Sequence, residues 1–179
     1  MALATLRNKI NSKKLTLGSW ITLGHPAIAE IMASAGFDWL VVDLEHSVID
    51  INMASDLIRI IDLCGVAPLV RLTSNDQNQI KRVMDAGAHG IIVPMVNTPA
   101  EALRAVAATR YSPVGSRGVG LARAQGYGAN FQGYARLIKQ ANANFKEAIQ
   151  AQRVGNWSVY GQKLDQLKQI LKRLEQMSN

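Results

Sequence analysis

Only one cysteine, Cys64, occurs in the 179 residues of the chain. This excludes an intramolecular disulfide and favours a reducing compartment. No apolar run approaches the roughly 18 residues that a membrane span requires. The first residues, MALATLRNKINSKK, lack the long apolar segment of a signal peptide. Together these absences predict a cytoplasmic protein with no membrane contact.

Dense clusters of one charge are also missing, although the formal net charge is +7. Residues 137–179 carry seven Lys/Arg against three Asp/Glu, and the preceding 136 residues carry thirteen against ten. The basic residues are scattered and match no nucleic-acid-binding motif. We interpret them as a solvated helix surface and expect no nucleic-acid partner.

The N-terminal part of the chain alternates between short apolar runs and amphipathic segments. Each apolar run is followed by a segment with helical spacing, often with a proline or aspartate at its start and a glycine at its end. Such alternation predicts an α/β fold with a parallel sheet, either a (β/α)8 barrel or an open doubly wound sheet. The predicted strands are residues 18–23, 39–43, 68–71 and 90–94.

The C-terminal part does not alternate. Residues 111–134 are glycine-rich and irregular, residues 132–152 have helical character, and Gly155-Asn156 is a break. A run of apolar residues then recurs at alternating spacings of three and four, which predicts a helix that packs within the chain or against another chain. These residues are Trp157, Tyr160, Leu164, Leu167, Leu171 and Leu174.

Charged residues follow two of the predicted strands, where both candidate folds bind their ligands. The segment WLVVDLEHS places Asp43, Glu45 and His46 at the carboxyl end of the second strand, and Arg71 ends the third. His46 is a candidate general base or a histidine held by a carboxylate for structure alone. Arg71 is a candidate carboxylate clamp or one half of an ordinary salt bridge. As functional groups, they fit chemistry on a small carboxylic acid.

Four segments of the chain together carry a family resemblance. They are GSWITLGHPAIAEIMASAGFDWLVVDLEHS, PLVR, IKRVMDAGAHGIIVPMVNTPAEA and RYSPVGSRGVGLARAQGYG. In this order they resemble the HpcH/HpaI aldolases over about residues 5–142, nearly four-fifths of the chain. The resemblance implies a homo-oligomer and a (β/α)8 TIM barrel of which the first four β/α units are recognisable. The predicted division is therefore residues 1–142 as half a barrel and residues 143–179 as a divergent helical tail.

The same resemblance implies reversible retro-aldol cleavage of 2-keto-4-hydroxy acids to pyruvate and an aldehyde. His46 matches the catalytic base, and Arg71 matches the arginine that binds pyruvate and stabilises its enolate. Asp85 matches an aspartate that raises the basicity of the histidine. It falls at the far end of a helix, so we expect it to approach His46 only from a neighbouring subunit.

Other parts of the resemblance concern the surroundings of the site. Trp20 matches a tryptophan near the substrate. Asp43 and Glu45 belong to the matching motif, and Asp43 is the better candidate of the two for supporting the site. The segment GSRGVG offers backbone N–H groups to an anion or is a plain ordered loop.

A divalent metal, Mg²⁺, Mn²⁺ or Co²⁺, is the cofactor that the resemblance implies, but its ligand motifs are absent. The family motif Q-I-E aligns with Gln150–Gln152, and G-P-x-D-L has no counterpart. Gln150 is then a candidate substrate contact. Gln152 replaces the metal-binding glutamate, and a neutral amide is a poor ligand for a hard cation. We therefore predict no metal site in this chain.

Three explanations remain open for the missing half: a truncated or frameshifted gene product, a half-barrel homologue that binds without turnover, and an aldolase that takes its metal ligands from another chain. A function of a different class is the alternative to an aldolase. In this alternative the chain is an interaction protein, in which the half-barrel is a scaffold and the C-terminal helix binds a partner. A metal titration separates the aldolase from the interaction module.

Overall fold

The computed structural model describes residues 2–129 and 131–178, except the side chains of residues 2–4, 131, 132, 134, 135 and 176–178. It divides into two compact units, Met1–Ala124 and Gln125–Asn179. The predicted division after residue 142 falls inside a helix of the second unit, Phe131–Arg153.

The first unit is a four-stranded parallel sheet in the order β1-β2-β3-β4. The predicted α/β alternation is confirmed, and a helix follows each strand. The strands are β1 Gly18–Ile21, β2 Trp39–Asp43, β3 Ala67–Arg71 and β4 Gly90–Ile92. The helices are α1 Ala2–Asn11, α2 Pro26–Ala33, α3 Ile51–Leu63, α4 Gln77–Asp85 and α5 Pro99–Thr109, and a 3-10 segment follows at Arg123–Gly128.

Local sequence signals start the helices at fixed places. Asp50 caps α3 by accepting a hydrogen bond from the backbone N–H of Met53 at 2.8 Å, and Asp76 caps α4 in the same way. Thr98 and Glu101 form a capping box at the start of α5. These caps fix the residue at which each helix begins, and therefore where the loop before it ends. Each of these loops starts at the carboxyl end of a strand, and the candidate site lies at those strand ends.

The core of the first unit consists of buried apolar side chains. The second strand is buried on both faces, as its continuous apolar sequence predicts. Helix α3 covers it with three fully buried side chains, Leu57, Ile58 and Ile61. The backbone at the strand ends is therefore held by a packed interior.

The second unit is a helical hairpin of α6 Phe131–Arg153 and α7 Trp157–Ser178. Gly155 has φ +72° at the connection, a backbone conformation that favours glycine. Lys163 on α7 forms an ion pair with Glu147 on α6 at 2.6 Å. The buried side chains of the two helices are Leu137, Ala148, Ala151 and Ile170.

The apolar repeat of the last helix divides between two environments. Tyr160, Leu167 and Leu174 are half-buried. By contrast, Trp157, Leu164 and Leu171 are exposed. The sequence predicted one buried stripe, but a two-helix hairpin covers less than the full apolar arc of each helix.

Adjacent residues on α7 provide a matched test of this packing. We expect Ile170→Ala to lower the free energy of unfolding of the hairpin by about 2–3 kcal/mol, because it empties a buried position. The control, Leu171→Ala, alters an exposed side chain and is expected to cost less than about 0.5 kcal/mol. Urea unfolding followed by circular dichroism measures both, and equal losses would contradict the packing.

Candidate active site

The carboxyl ends of β2 and β3 meet in a partly buried ion pair. Asp43 and Arg71 are direct neighbours in the strand register. Arg71 Nε donates to Asp43 Oδ1 at 2.8 Å, and Nη2 donates to Oδ2 at 2.7 Å. Asp43 is almost fully buried, with a side-chain exposure of 2%, whereas the Arg71 side chain is 23% exposed. This two-point geometry fixes the plane of the guanidinium.

The backbone after β2 wraps around the same carboxylate. Asp43 Oδ1 also accepts hydrogen bonds from the backbone N–H of Glu45 at 3.0 Å and of His46 at 3.3 Å. The Ser47 hydroxyl donates to the backbone carbonyl of Asp43. Asp43 therefore orients the arginine and also shapes the loop that carries Glu45 and His46.

Both members of the pair remain charged near neutral pH. Hydrogen bonds from Arg71 hold the pKa of Asp43 below its ordinary value, with help from the backbone N–H groups of His46 and Glu45, while burial opposes the shift. The same hydrogen bonds to Asp43 raise the pKa of Arg71. The site thus keeps a fixed cation at the strand ends.

One face and one edge of the Arg71 guanidinium contact other side chains of the chain. The ring of Trp20, on β1, lies 4.6 Å from the guanidinium carbon, within the range of a cation–π contact. Two of the five N–H groups of the guanidinium point at Asp43. The opposite edge, formed by Nη1 and the second N–H of Nη2, has the donor geometry that a ligand carboxylate requires.

Glu45 lies between the arginine and the histidine. Its Oε2 is 3.4 Å from Arg71 Nε and 3.8 Å from His46 Nε2. The second distance exceeds that of a hydrogen bond. The His46 side chain is 71% exposed and Glu45 is 20% exposed. The histidine is therefore open to a ligand, with a carboxylate beside it.

The structure brings together Trp20, Asp43, Glu45, His46 and Arg71, five of the residues that the sequence predicted for the site. The roles that the sequence assigned to these residues stay predictions. Within the cluster, Asp43 serves the arginine, and the carboxylate nearest the histidine is that of Glu45. The preference for Asp43 over Glu45 as support for the site came from the family resemblance and stays a prediction.

Asp85 lies away from this cluster, at the C-terminus of α4. Its Oδ1 accepts a hydrogen bond from Nη2 of Arg117, whose side chain is buried and lies over the ring of Tyr111 at 4.6 Å. The segment GSRGVG thus contributes Arg117 to an ion pair, which supports the ordered-loop interpretation. An approach of Asp85 to His46 of another copy stays a prediction.

A second ion-pair group joins α3, the residue before β4 and the start of the 3-10 segment. Asp62 accepts from Arg123 Nη2 at 2.6 Å and lies 3.1 Å from His89 Nε2. Burial lowers the pKa of His89, although Asp62 opposes the shift. Sequence reasoning missed this group, because its members lie 27 and 34 residues apart along the chain, outside any local motif.

The described residues do not fit the divalent metal that the family resemblance implies. Among them, no group of three His, Cys, Asp or Glu side chains converges as metal ligands. Both oxygens of Asp43 already bind Arg71. Gln150 and Gln152 are exposed on α6, in the second unit. No catalytic step through a metal is therefore assigned to these residues.

Comparison with known proteins finds that the chain is similar in sequence to aldolases. The chain is 41% identical over 127 residues to the hydroxypyruvate/pyruvate aldolase of Deinococcus radiodurans, covering 70% of this chain and 46% of that protein. It is 37% identical over 140 residues to the 5-keto-4-deoxy-D-glucarate aldolase of Citrobacter koseri, covering 78% of this chain and 53% of that protein.

A solved structure agrees with these relatives. An HpcH/HpaI aldolase/citrate lyase family protein from Burkholderia cenocepacia superposes with a TM-score of 0.66 at 34% identity, over 70% of this chain and 52% of that one. The chain spans about half the length of the relatives it matches. The profile of the HpcH/HpaI aldolase/citrate lyase family matches residues 16–157. The chain therefore belongs to the HpcH/HpaI aldolase/citrate lyase family.

Proposed function

We propose that this chain binds a small 2-keto acid of the pyruvate type at the edge formed by β1, β2 and β3. The observation that carries the proposal is the two-point Asp43–Arg71 pair, which leaves one edge of the guanidinium for a carboxylate. Trp20 covers one face of that cation. The proposed reaction class is retro-aldol cleavage of 2-keto-4-hydroxy acids, for which the chain carries the base and the carboxylate clamp.

In this proposal, each side chain has a separate task. Arg71 binds the 2-keto acid through its free edge, and Asp43 and Trp20 position it. His46 takes the proton from the C4 hydroxyl, the C3–C4 bond breaks, and its electron pair forms the enolate of pyruvate while the aldehyde leaves. Arg71 then offsets the charge on the enolate oxygen. Glu45 stabilises the imidazolium that His46 becomes.

The chain on its own is proposed to bind without efficient cleavage. In a metal-assisted aldol reaction, a divalent cation carries most of the enolate charge. The described residues supply no ligand group for one. In this account, Mg²⁺, Mn²⁺ or Co²⁺ takes part only when acidic ligands come from another chain. A binding module derived from an aldolase is therefore the second candidate function.

The remaining proposals concern the setting of the site. We place the protein in the cytoplasm as a homo-oligomer. A neighbouring copy brings Asp85 towards His46. The exposure of His46 and the partial exposure of Asp85 are compatible with such an approach. Analytical ultracentrifugation of the purified chain tests the oligomer, and a strictly monomeric species would remove this part of the proposal.

Turnover gives a direct test of the missing metal site. We expect the purified chain, with added Mg²⁺, Mn²⁺ or Co²⁺, to release little or no pyruvate from 2-keto-4-hydroxy acids, because the acidic ligand pair is absent. A coupled lactate dehydrogenase assay measures the release, with a full-length family aldolase as the positive control. Robust pyruvate release that EDTA abolishes would contradict this expectation.

A further inference from the structure

The hairpin of the second unit exposes an apolar surface that its own packing does not use. Five large side chains form this hairpin apolar face, and their exposure ranges from 38% to 64%. Within each helix they recur every seven residues, so each set forms one stripe along its helix. The residues are Ile138 and Phe145 on α6 and Trp157, Leu164 and Leu171 on α7.

The two stripes lie on the same side of the hairpin. Ile138 directly follows buried Leu137, and Leu171 directly follows buried Ile170. Each stripe is thus displaced in the same rotational direction, by roughly 100°, from the line of contact between the helices. Because the helices are antiparallel, this rotation turns both stripes to one side. The result is one apolar face along the length of the hairpin.

Cations border this face. Lys168 lies four residues after Leu164, on the same side of α7, and Lys172 follows one turn later. On α6, Lys146 and Arg153 lie roughly a quarter-turn from the stripe. Residues 125–179 carry eight Lys/Arg against three Asp/Glu, a net charge of +5, whereas residues 1–124 carry twelve against ten, a net of +2. The hairpin is therefore the more basic of the two units, and the four bordering cations outnumber the two acidic residues near the stripe of α7, Asp165 and Glu175.

We propose that the hairpin apolar face docks on an anionic lipid surface. Such a surface supplies negative charge for the bordering cations and an apolar layer for the aromatic and aliphatic side chains. Lysine stems extend along apolar surface while the ammonium groups stay in the polar layer. A second copy of the hairpin is disfavoured as the occupant, because pairing would bring the same cations together.

The proposal concerns attachment at the surface and goes beyond the proposed 2-keto acid site. Among the described residues, no helix combines the length and the apolar character that crossing a bilayer requires. The sequence predicted no membrane contact because it lacks a run of that kind. Docking parallel to the surface requires only one apolar face and a basic border, both of which the hairpin has.

Vesicle flotation with the full chain tests the proposal. The probes are phosphatidylcholine vesicles with and without about 30% phosphatidylglycerol, since anionic lipid attracts basic segments. We expect binding only to the anionic vesicles. Phe145→Gln with Leu171→Gln is expected to weaken it by about tenfold or more, because both side chains leave the apolar layer. Circular dichroism confirms that the variant remains helical.

A matched pair of charge variants separates docking from general attraction. Lys168→Glu with Lys172→Glu changes the border of the face. Arg136→Glu with Arg173→Glu makes the same charge change on the opposite side of the hairpin, at exposed positions. The first pair is expected to abolish flotation and the second to retain most of it. Equal loss from both pairs would overturn the proposal in favour of charge attraction alone. A second outcome would also overturn the proposal. In that outcome the parent is a dimer, the double variant Phe145→Gln with Leu171→Gln is a monomer, and neither protein binds vesicles.

Discussion

Replacing Arg71 by lysine is expected to weaken pyruvate binding by about tenfold or more, because an ammonium group loses the two-point contact that a guanidinium makes with a carboxylate. The lysine keeps a positive charge beside buried Asp43, so the fold is retained. Isothermal titration calorimetry with pyruvate measures the change in Kd. A lysine variant that binds as tightly as the parent would show that charge alone suffices at this position.

Arg59 is the control for this substitution. It lies on α3 in an exposed ion pair with Asp56, and it is not part of the candidate site. Arg59→Lys makes the same chemical change and is expected to leave the Kd for pyruvate unchanged. An equal effect of the two variants would indicate nonspecific attraction of the anion.

The second large effect concerns stability. Asp43→Asn is expected to lower the free energy of unfolding by about 2–3 kcal/mol near neutral pH, since it removes the buried carboxylate that holds the half-buried guanidinium of Arg71. The asparagine oxygen retains the backbone hydrogen bonds, but its amide N–H₂ faces the Nη2 donor of Arg71. Chemical denaturation measures the loss. Asp56→Asn, in the exposed pair with Arg59, is the control, and it is expected to cost less than about 1 kcal/mol.

The stability that Asp43 contributes depends on pH in a defined direction. Its pKa is lowered in the folded chain, chiefly by Arg71. The contribution is therefore fully present above the ordinary carboxyl pKa of about 3.9 and is lost as the pH falls through the lowered folded value. The difference between the parent and Asp43→Asn is expected to shrink below about pH 4. A constant difference across that range would contradict a charged pair.

The alternation of strands and helices was predictable from the sequence because each signal is local. Apolar runs, caps and glycine stops define the elements, and short crossovers then require a parallel sheet. The placement of Asp43 and Arg71 at one edge follows from that topology. The sequence also predicted a helix at residues 132–152 and a break at Gly155-Asn156, as observed.

Side-chain partnerships between distant segments were not predictable in the same way. Arg117 pairs with Asp85 across 32 residues, and Arg123 pairs with Asp62 across 61. Each pairing depends on the path of an irregular loop, and the periodic spacing of apolar residues does not predict that path. The division of the apolar residues of the last helix into a half-buried set and an exposed set depends on the position of α6 against it. Apolar spacing alone gives the face of a helix but not its partner.

Whether a 2-keto acid binds at Arg71 is tested most directly by N–H chemical shifts during a pyruvate titration. The backbone N–H resonances of Glu45 and His46, which bond to Asp43, are expected to move, together with the indole N–H resonance of Trp20. The shifts should saturate with pyruvate and disappear in the Arg71→Lys variant. Shifts confined to residues 110–124 or to the hairpin, with Glu45 and His46 unmoved, would contradict a 2-keto acid site at this edge of the sheet.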